Sequence, residues 1–288
     1  MKRKKWPFVL IALALIVVAA LPSVLSAIMT GDRLDAKPPI PLTDVIIKQT
    51  ERDKMTLVAH RGYSSQAPEN TLPAIQRAAE YGFDYVELDV RQTKDGVWVL
   101  MHDEDVGTVC DRSGKLSSFT YYDLVPCNIV RGANIQEYPD LKIPTFEQAL
   151  KTCLEFNIKP MIEIKDYTRE GLENLVKIIG KYGFTKTCSV ISFSRTAVET
   201  VRELNSEITI YKLVSKLDKD EMEYCLNNSD MGVSFNADHK ANTPEKIDEL
   251  KNAGIPLACW TVDSAETMQK WVDEGVTTFV TNQIYYHN

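Results

Sequence analysis

The stretch YVELDVRQTKDGVWVLMHD, residues 85–103, holds the residue types best suited to chemistry. Glu87, Asp89 and Arg91 stand at every second position. On a pleated strand these three share one face, and Val86, Leu88 and Val90 share the other. Carboxylates crowded together are costly unless a cation or open solvent relieves them. PMIEIK (160–165) repeats the pattern, with Glu163 and Lys165 on one face. Glu87, Asp89 and Glu163 form a hard-oxygen donor set for one divalent cation, Ca2+ or Mg2+, with positions open for water and substrate. These ligand types do not separate the two ions.

Two of the four histidines belong with this set. His60 ends the run TLVAH (56–60). Asp95-Gly96 is a hairpin signal, and a turn centred on that pair sets His102 directly across from Asp89. A histidine titrates near neutral pH, so the two supply a general acid and a general base. His239 and His287 have no such setting and read as surface residues. Arg61 offers a planar fork suited to phosphate, and Lys165 a point charge. A cation, two cationic side chains and two proton-transfer groups describe a site that cleaves a phosphate ester. Arg91 has two readings, a counter-charge to the acidic site or a solvated residue.

Such residues need a scaffold that brings strand ends together. Short apolar, β-branched runs at 56–60, 85–93, 97–102, 160–165, 188–193, 209–214, 232–236, 256–262 and 278–282 alternate with amphipathic helical stretches. Helices are expected at 71–81, with Asn70 as N-cap and Gly82 as stop, and at 145–156, 170–182, 195–205, 244–253 and 264–274. This alternation argues for a parallel sheet with helices outside. About eight units over roughly 230 residues predict a TIM (β/α)8 barrel rather than an open sheet of about six strands. Residues 97–102 are read as the return arm of the hairpin, and 103–144 as a loop-rich insertion. Functional groups of such a barrel gather at the C-terminal strand ends. His60-Arg61, Glu87 with Asp89, and Glu163 with Lys165 fall there, and later ends add Ser192, Asn236 and Trp260-Thr261.

The N-terminal end differs. Lys2, Arg3, Lys4 and Lys5 precede an uncharged run from Trp6 to Met29. A positive cluster before an apolar stretch long enough to span a bilayer (about 20 residues) reads as an uncleaved signal-anchor over 1–30. The alternative is export with cleavage after Pro22, at Ser26-Ala27. Basic residues on that side hold it in the cytoplasm, so a domain beyond residue 30 would face outward from the membrane. Residues 31–54 read as a linker, with a short element near Val45–Lys48, and the folded domain is expected over 55–288. An outward-facing domain permits disulfides, and Cys110 and Cys127 are candidates to pair. Cys153, Cys188 and Cys259 read as buried thiols, and no cysteine spacing suggests zinc. The formal net charge of −7 argues against a nucleic-acid partner.

The motifs AHRG (59–62), APENT (67–71), VELDVRQTKDG (86–96), MHD (101–103), IPTFEQAL (143–150), IEIK (162–165), WTV (260–262) and VTN (280–282) resemble those of the glycerophosphodiester phosphodiesterases. The resemblance runs in order over residues 55–288. It implies a TIM barrel and metal-dependent hydrolysis of a small glycerophosphodiester to an alcohol and glycerol 3-phosphate. It implies His60 and His102 as the acid/base pair and Glu87, Asp89 and Glu163 as metal ligands. Arg61 and Lys165 match phosphate-contacting positions, and Trp260 matches an aromatic that packs on the glycerol unit or simply fills the barrel. Asn70 in APENT reads as structural, while Glu69 has reach enough for the site. The segment after MHD departs from the family's Thr/Gly-rich stretch, keeping Asp111-Arg112 but carrying two cysteines, so rim contacts and head-group preference do not carry over. Related alternatives are action on lysophospholipids or on glycerophosphate polymers. An alternative of another class is a catalytically silent domain that binds a surface polymer.

Overall fold

A computed structural model of the chain describes residues 54–283. The expected signal-anchor, the element near Val45–Lys48 and His287 lie outside the described residues. Among those described, no helix is long and apolar enough to cross a membrane.

Among the described residues nine strands form one sheet: β1 (Thr56–Ala59), β2 (Tyr85–Gln92), β3 (Trp98–Leu100), β4 (Lys159–Ile164), β5 (Ser189–Ser192), β6 (Thr209–Val214), β7 (Gly232–Asn236), β8 (Leu257–Trp260) and β9 (Thr278–Thr281). All but β3 pair in parallel, and β1 pairs with both β2 and β9. The sheet is therefore a closed eight-stave barrel, with β3 attached antiparallel to β2. Helices α1 (Leu72–Glu80), α3 (Phe146–Glu155), α4 (Arg169–Lys181), α5 (Arg195–Leu204), α6 (Lys219–Asn227), α7 (Pro244–Asn252) and α8 (Ala265–Asp273) connect the staves, and α2 (Tyr121–Leu124) lies in the insertion. Helix α6 stands outside the helices expected from the sequence, and it buries Met222 and Cys225.

Strand alternation builds two cores. Outward-facing Val86, Leu88 and Val90 join the main core beneath the helices. Inward-facing Val58, Met161, Ile191, Leu213 and Val280 form an apolar plug inside the barrel. Two residues further along their strands come His60, Glu163 and Asn282, which the period of two sets above that plug. The insertion packs around its own cluster, including Val99, Met101, Leu116, Leu124 and Ile143. IPTFEQAL is the entrance to α3, where Thr145 and Gln148 exchange hydrogen bonds as a capping box.

Three expectations need correction. The hairpin pairs Val90 with Leu100 and Gln92 with Trp98, so the loop is one residue longer than an Asp95-Gly96 turn allows. Gly96 takes φ +79°, the left-handed residue that closes a three-residue loop. Asp89 therefore faces Met101, whose N–H donates to the Asp89 carbonyl (3.0 Å), and His102 lies one residue beyond. Asn70 is not the cap of α1, which is Thr71. Cys110 and Cys127 are buried free thiols rather than a disulfide, as Cys153, Cys188, Cys225 and Cys259 are also free and buried.

Candidate active site

The first stave ends in a sharp turn, with Arg61 at φ +59° and Gly62 at φ +80°. That turn brings the Arg61 N–H to Glu87 Oε2 (2.8 Å). It also needs glycine at 62, because a Cβ there would lie 2.5 Å from the Ala74 Cβ. On the next staves Asp89 and Glu163 are direct cross-strand partners. Glu87, Asp89 and Glu163 each offer an oxygen within 4.8 Å of the others, and all three side chains are buried.

One cavity of about 290 Å³ is lined by His60, Arg61, Glu87, His102, Glu163, Lys165 and Trp260. Seven of the eight residues expected at the site thus share its wall, and Asp89 lies with Glu87 and Glu163 in the carboxylate cluster. Ser192 and Asn236 do not join them: Ser192 Oγ donates to the Ile164 carbonyl, and Asn236 Oδ1 accepts from Asp238 N–H. His239 is half-buried and accepts a hydrogen bond from Ala241 N–H. Trp260 donates its indole N–H to the Ser234 carbonyl (3.1 Å) and meets Phe193 edge-on at 5.5 Å.

The carboxylates repel one another. Burial first, and then the charges of Asp89 and Glu163, push the Glu87 carboxyl well above the usual range. Burial and Asp89 raise Glu163 to about 7. Burial also opposes ionisation of Asp89, but Lys165, Arg61 and His102 with the Asn70 amide outweigh it and hold it low. Lys165 Nζ lies 3.0 Å from Asp89 Oδ1 and 2.6 Å from Glu163 Oε1. Lys165 thus serves two of the three carboxylates, and Glu87 Oε1 stays buried with no hydrogen-bond partner. An unsatisfied buried oxygen on Glu87, and one oxygen from each carboxylate within 4.8 Å of the others, fit a hard divalent cation.

The histidines are oriented differently. Asn282 Nδ2 donates to Asp263 Oδ2 (2.6 Å), which turns its Oδ1 toward His60 Nδ1 (2.9 Å). An amide oxygen only accepts, so Nδ1 carries the proton and Nε2 is free. Burial, followed by the Arg61 charge, lowers His60 to about 4. His102 Nδ1 instead meets the Asp103 carboxylate at 2.8 Å.

Several of these supports were not apparent in the sequence. Asn70 Nδ2 donates to Asp89 Oδ2 (2.7 Å), and its Oδ1 accepts from Asp89 N–H (3.0 Å). Glu69 does not reach the carboxylates but holds Arg61 Nη1 at 3.0 Å. Arg91 is neither solvated nor a counter-charge to the triad: it pairs with Asp166 and donates to the His102 carbonyl. Asn282 was within reach of strand periodicity, standing two residues after inward-facing Val280. Asp263 gave no signal, because its role depends on where the chain returns after β8.

Residues 60–285 match the model of the Glycerophosphoryl diester phosphodiesterase family. The chain is 32% identical over 209 residues to human Glycerophosphodiester phosphodiesterase 1, a match covering 70% of this chain and 63% of the human one. It thus spans less than two thirds of that relative's length. It is 30% identical over 234 residues to a glycerophosphodiester phosphodiesterase of Caldanaerobacter subterraneus subsp. tengcongensis, covering 80% and 94%. Its fold is similar to that of an Oleispira antarctica phosphodiesterase solved with the product sn-glycerol-3-phosphate, with TM-score 0.73, 23% identity, and coverage of 81% and 95%. On the family match and the aligned bacterial relative, the chain belongs to the glycerophosphoryl diester phosphodiesterase family.

Proposed function

We propose that the protein hydrolyses glycerophosphodiesters to an alcohol and sn-glycerol 3-phosphate. The observation that carries this reading is the cluster of three buried carboxylates, two of which line one cavity together with two histidines and two cationic side chains. Glu87, Asp89 and Glu163 hold one divalent cation, Ca2+ or Mg2+. When bound, that ion supplies positive charge to a phosphate oxygen and eases ionisation of a hydroxyl beside it.

The chain's own groups do the rest. Arg61 and Lys165 neutralise the phosphate, and both stay charged because neighbouring carboxylates raise them against the opposing effect of burial. His60 is the general base: it is neutral at neutral pH, and its free Nε2 takes the proton of the attacking hydroxyl. His102 is the general acid: Asp103 holds its Nδ1 at 2.8 Å and orients the ring, and Nε2–H protonates the leaving alkoxide. Water is consumed, one P–O bond is broken and one is formed. Direct attack by water and attack by the adjacent glycerol hydroxyl, through a cyclic phosphate, need the same pair of histidines. Phosphorus NMR during turnover separates the two routes.

The test is release of glycerol 3-phosphate from glycerophosphocholine with and without EDTA. Activity that survives full chelation removes the metal from this reading. His60→Ala and His102→Ala are each expected to lower kcat by about 10²–10⁴-fold. A second reading, action on lysophospholipids, draws on the apolar side of the cavity, where Ile191, Phe193, Leu213 and Val280 line the wall. Comparing lysophosphatidylcholine with glycerophosphocholine decides between them. Cation binding without turnover across a panel of diesters would favour the silent binding domain.

The same proposal extends to the whole chain: residues 1–30 anchor it in the cell membrane, 31–54 form a linker, and the barrel domain over 55–288 faces outward. The KRKK cluster before the uncharged run supports that orientation. Protease accessibility on intact cells tests it.

A further inference from the structure

We infer that Arg91 is a positioning residue for the proton donor, acting together with Asp166 to fix the main chain that carries His102. The inference rests on His102 taking part in the reaction proposed above.

The antiparallel ladder between β2 and β3 ends before His102. Leu100 is the last paired residue of β3, and Met101 N–H makes one further bond to Asp89. The carbonyl of His102 is taken by a side chain instead. Arg91 Nε and Nη2 donate to it at 2.9 and 2.8 Å. The remaining arm of the same guanidinium, Nη1, pairs with Asp166 Oδ2. Asp166 is itself held, because its Oδ1 accepts from Gln92 N–H at 3.1 Å. A closed circuit therefore runs from the β2 backbone through Asp166 and Arg91 to His102. It joins the segment after β4 to the arm of the hairpin that bears the histidine.

The circuit matters because His102 has few other restraints. Its side chain is 30% exposed, and its one hydrogen bond is to Asp103, the next residue in the chain. A dyad of adjacent residues moves as a unit if the backbone beneath it moves. The Arg91 side chain is only 11% exposed, so water competes poorly for its bonds to the His102 carbonyl, while its partner Asp166 is 42% exposed. Lysine cannot replace it, since a single ammonium does not present a rigid planar fork to the carbonyl and a further arm to the carboxylate. Displacing a catalytic group by about 1 Å can cost about 100-fold in rate.

The experiment compares wild type, Arg91→Lys, Arg91→Ala and Asp166→Asn by kcat and KM on glycerophosphocholine, with Tm measured for each. Arg91→Lys is expected to lower kcat about 10- to 100-fold with KM within about twofold of wild type. Asp166→Asn, which keeps the shape but weakens the pair, should fall between the two. Millimolar guanidinium chloride should restore part of the kcat of Arg91→Ala, where the same concentration of sodium chloride does not. A kcat for Arg91→Lys above half that of wild type overturns the inference. A large rise in KM at constant kcat also does, since it would place Arg91 on the substrate. If Tm falls sharply in the lysine variant, the rescue decides, and its absence counts against positioning. Lack of turnover by wild type would instead refute the proposed reaction, which keeps the two failures apart.

Discussion

Replacing Asn70 with alanine should damage the site without touching any residue that lines the cavity. Asn70 grips Asp89 twice, through Nδ2 to Oδ2 at 2.7 Å and through Oδ1 to the Asp89 N–H at 3.0 Å. Asp89 is 1% exposed, so water does not replace either bond. A hydrogen bond to a charged group contributes roughly 1.5–3 kcal/mol, and a buried N–H left unsatisfied costs roughly 1–3 kcal/mol. Asn70 also sits at φ +55°, a left-handed conformation that asparagine tolerates and that strains alanine by about 1 kcal/mol or more. Partial relaxation offsets some of this sum and leaves a loss of about 3–4 kcal/mol. With a urea slope of about 3 kcal/mol/M, the unfolding midpoint should fall by about 1 M. Asp89 is also one of the proposed cation ligands, and loss of a group that orients a ligand typically weakens metal binding about 10- to 100-fold. Urea unfolding followed by tryptophan fluorescence, and calorimetric titration with Ca2+ and Mg2+, measure both effects. Asn70→Gly removes the backbone strain and isolates the loss of the amide. If Asn70→Ala stays within about 1 kcal/mol of wild type and binds the cation equally well, the proposed clamp on Asp89 is wrong.

Two further outcomes follow from the geometry. His60 should titrate near pH 4, not 6.5, with Nδ1 protonated throughout, as read by nitrogen NMR of labelled histidine. Because the unfolded chain binds more protons than the folded one across that window, the His60 contribution to stability rises with pH from about 4 to about 6.5. His60→Gln should remove that component from the dependence of Tm on pH, and a midpoint near 6.5 would contradict the burial argument. Gly62→Ala should destabilise by at least about 2 kcal/mol, since its Cβ would stand 2.5 Å from the Ala74 Cβ and 2.8 Å from the Ala74 carbonyl carbon, at φ +80°. Native-like stability in that variant would mean that the β1–α1 turn is free to rearrange.

Two kinds of information determined what could be read from the sequence alone. Strand periodicity is local: alternation of charged and apolar residues in 85–92 and 159–164 already assigns Glu87, Asp89 and Glu163 to one face. Strand-helix alternation then selects the closed barrel, because parallel staves need a crossover each. The end of the first strand and the Asp95-Gly96 turn signal already joined His60 and His102 to these carboxylates, and motif resemblance implied the same pairing. Tertiary structure decided whatever depends on register or on a partner remote in the chain. One residue of loop length moved His102 off Asp89, because a strand's pairing shifts as a whole when its turn changes. Asn70 resembles a helix cap when only its neighbours in sequence are considered, and becomes a clamp once β2 lies beside it. Arg91 acquires its role from Asp166, 75 residues away, and His60 acquires its tautomer from Asn282, 222 residues away. The local pattern chose which side chains face the barrel mouth, and closure of the barrel chose their partners.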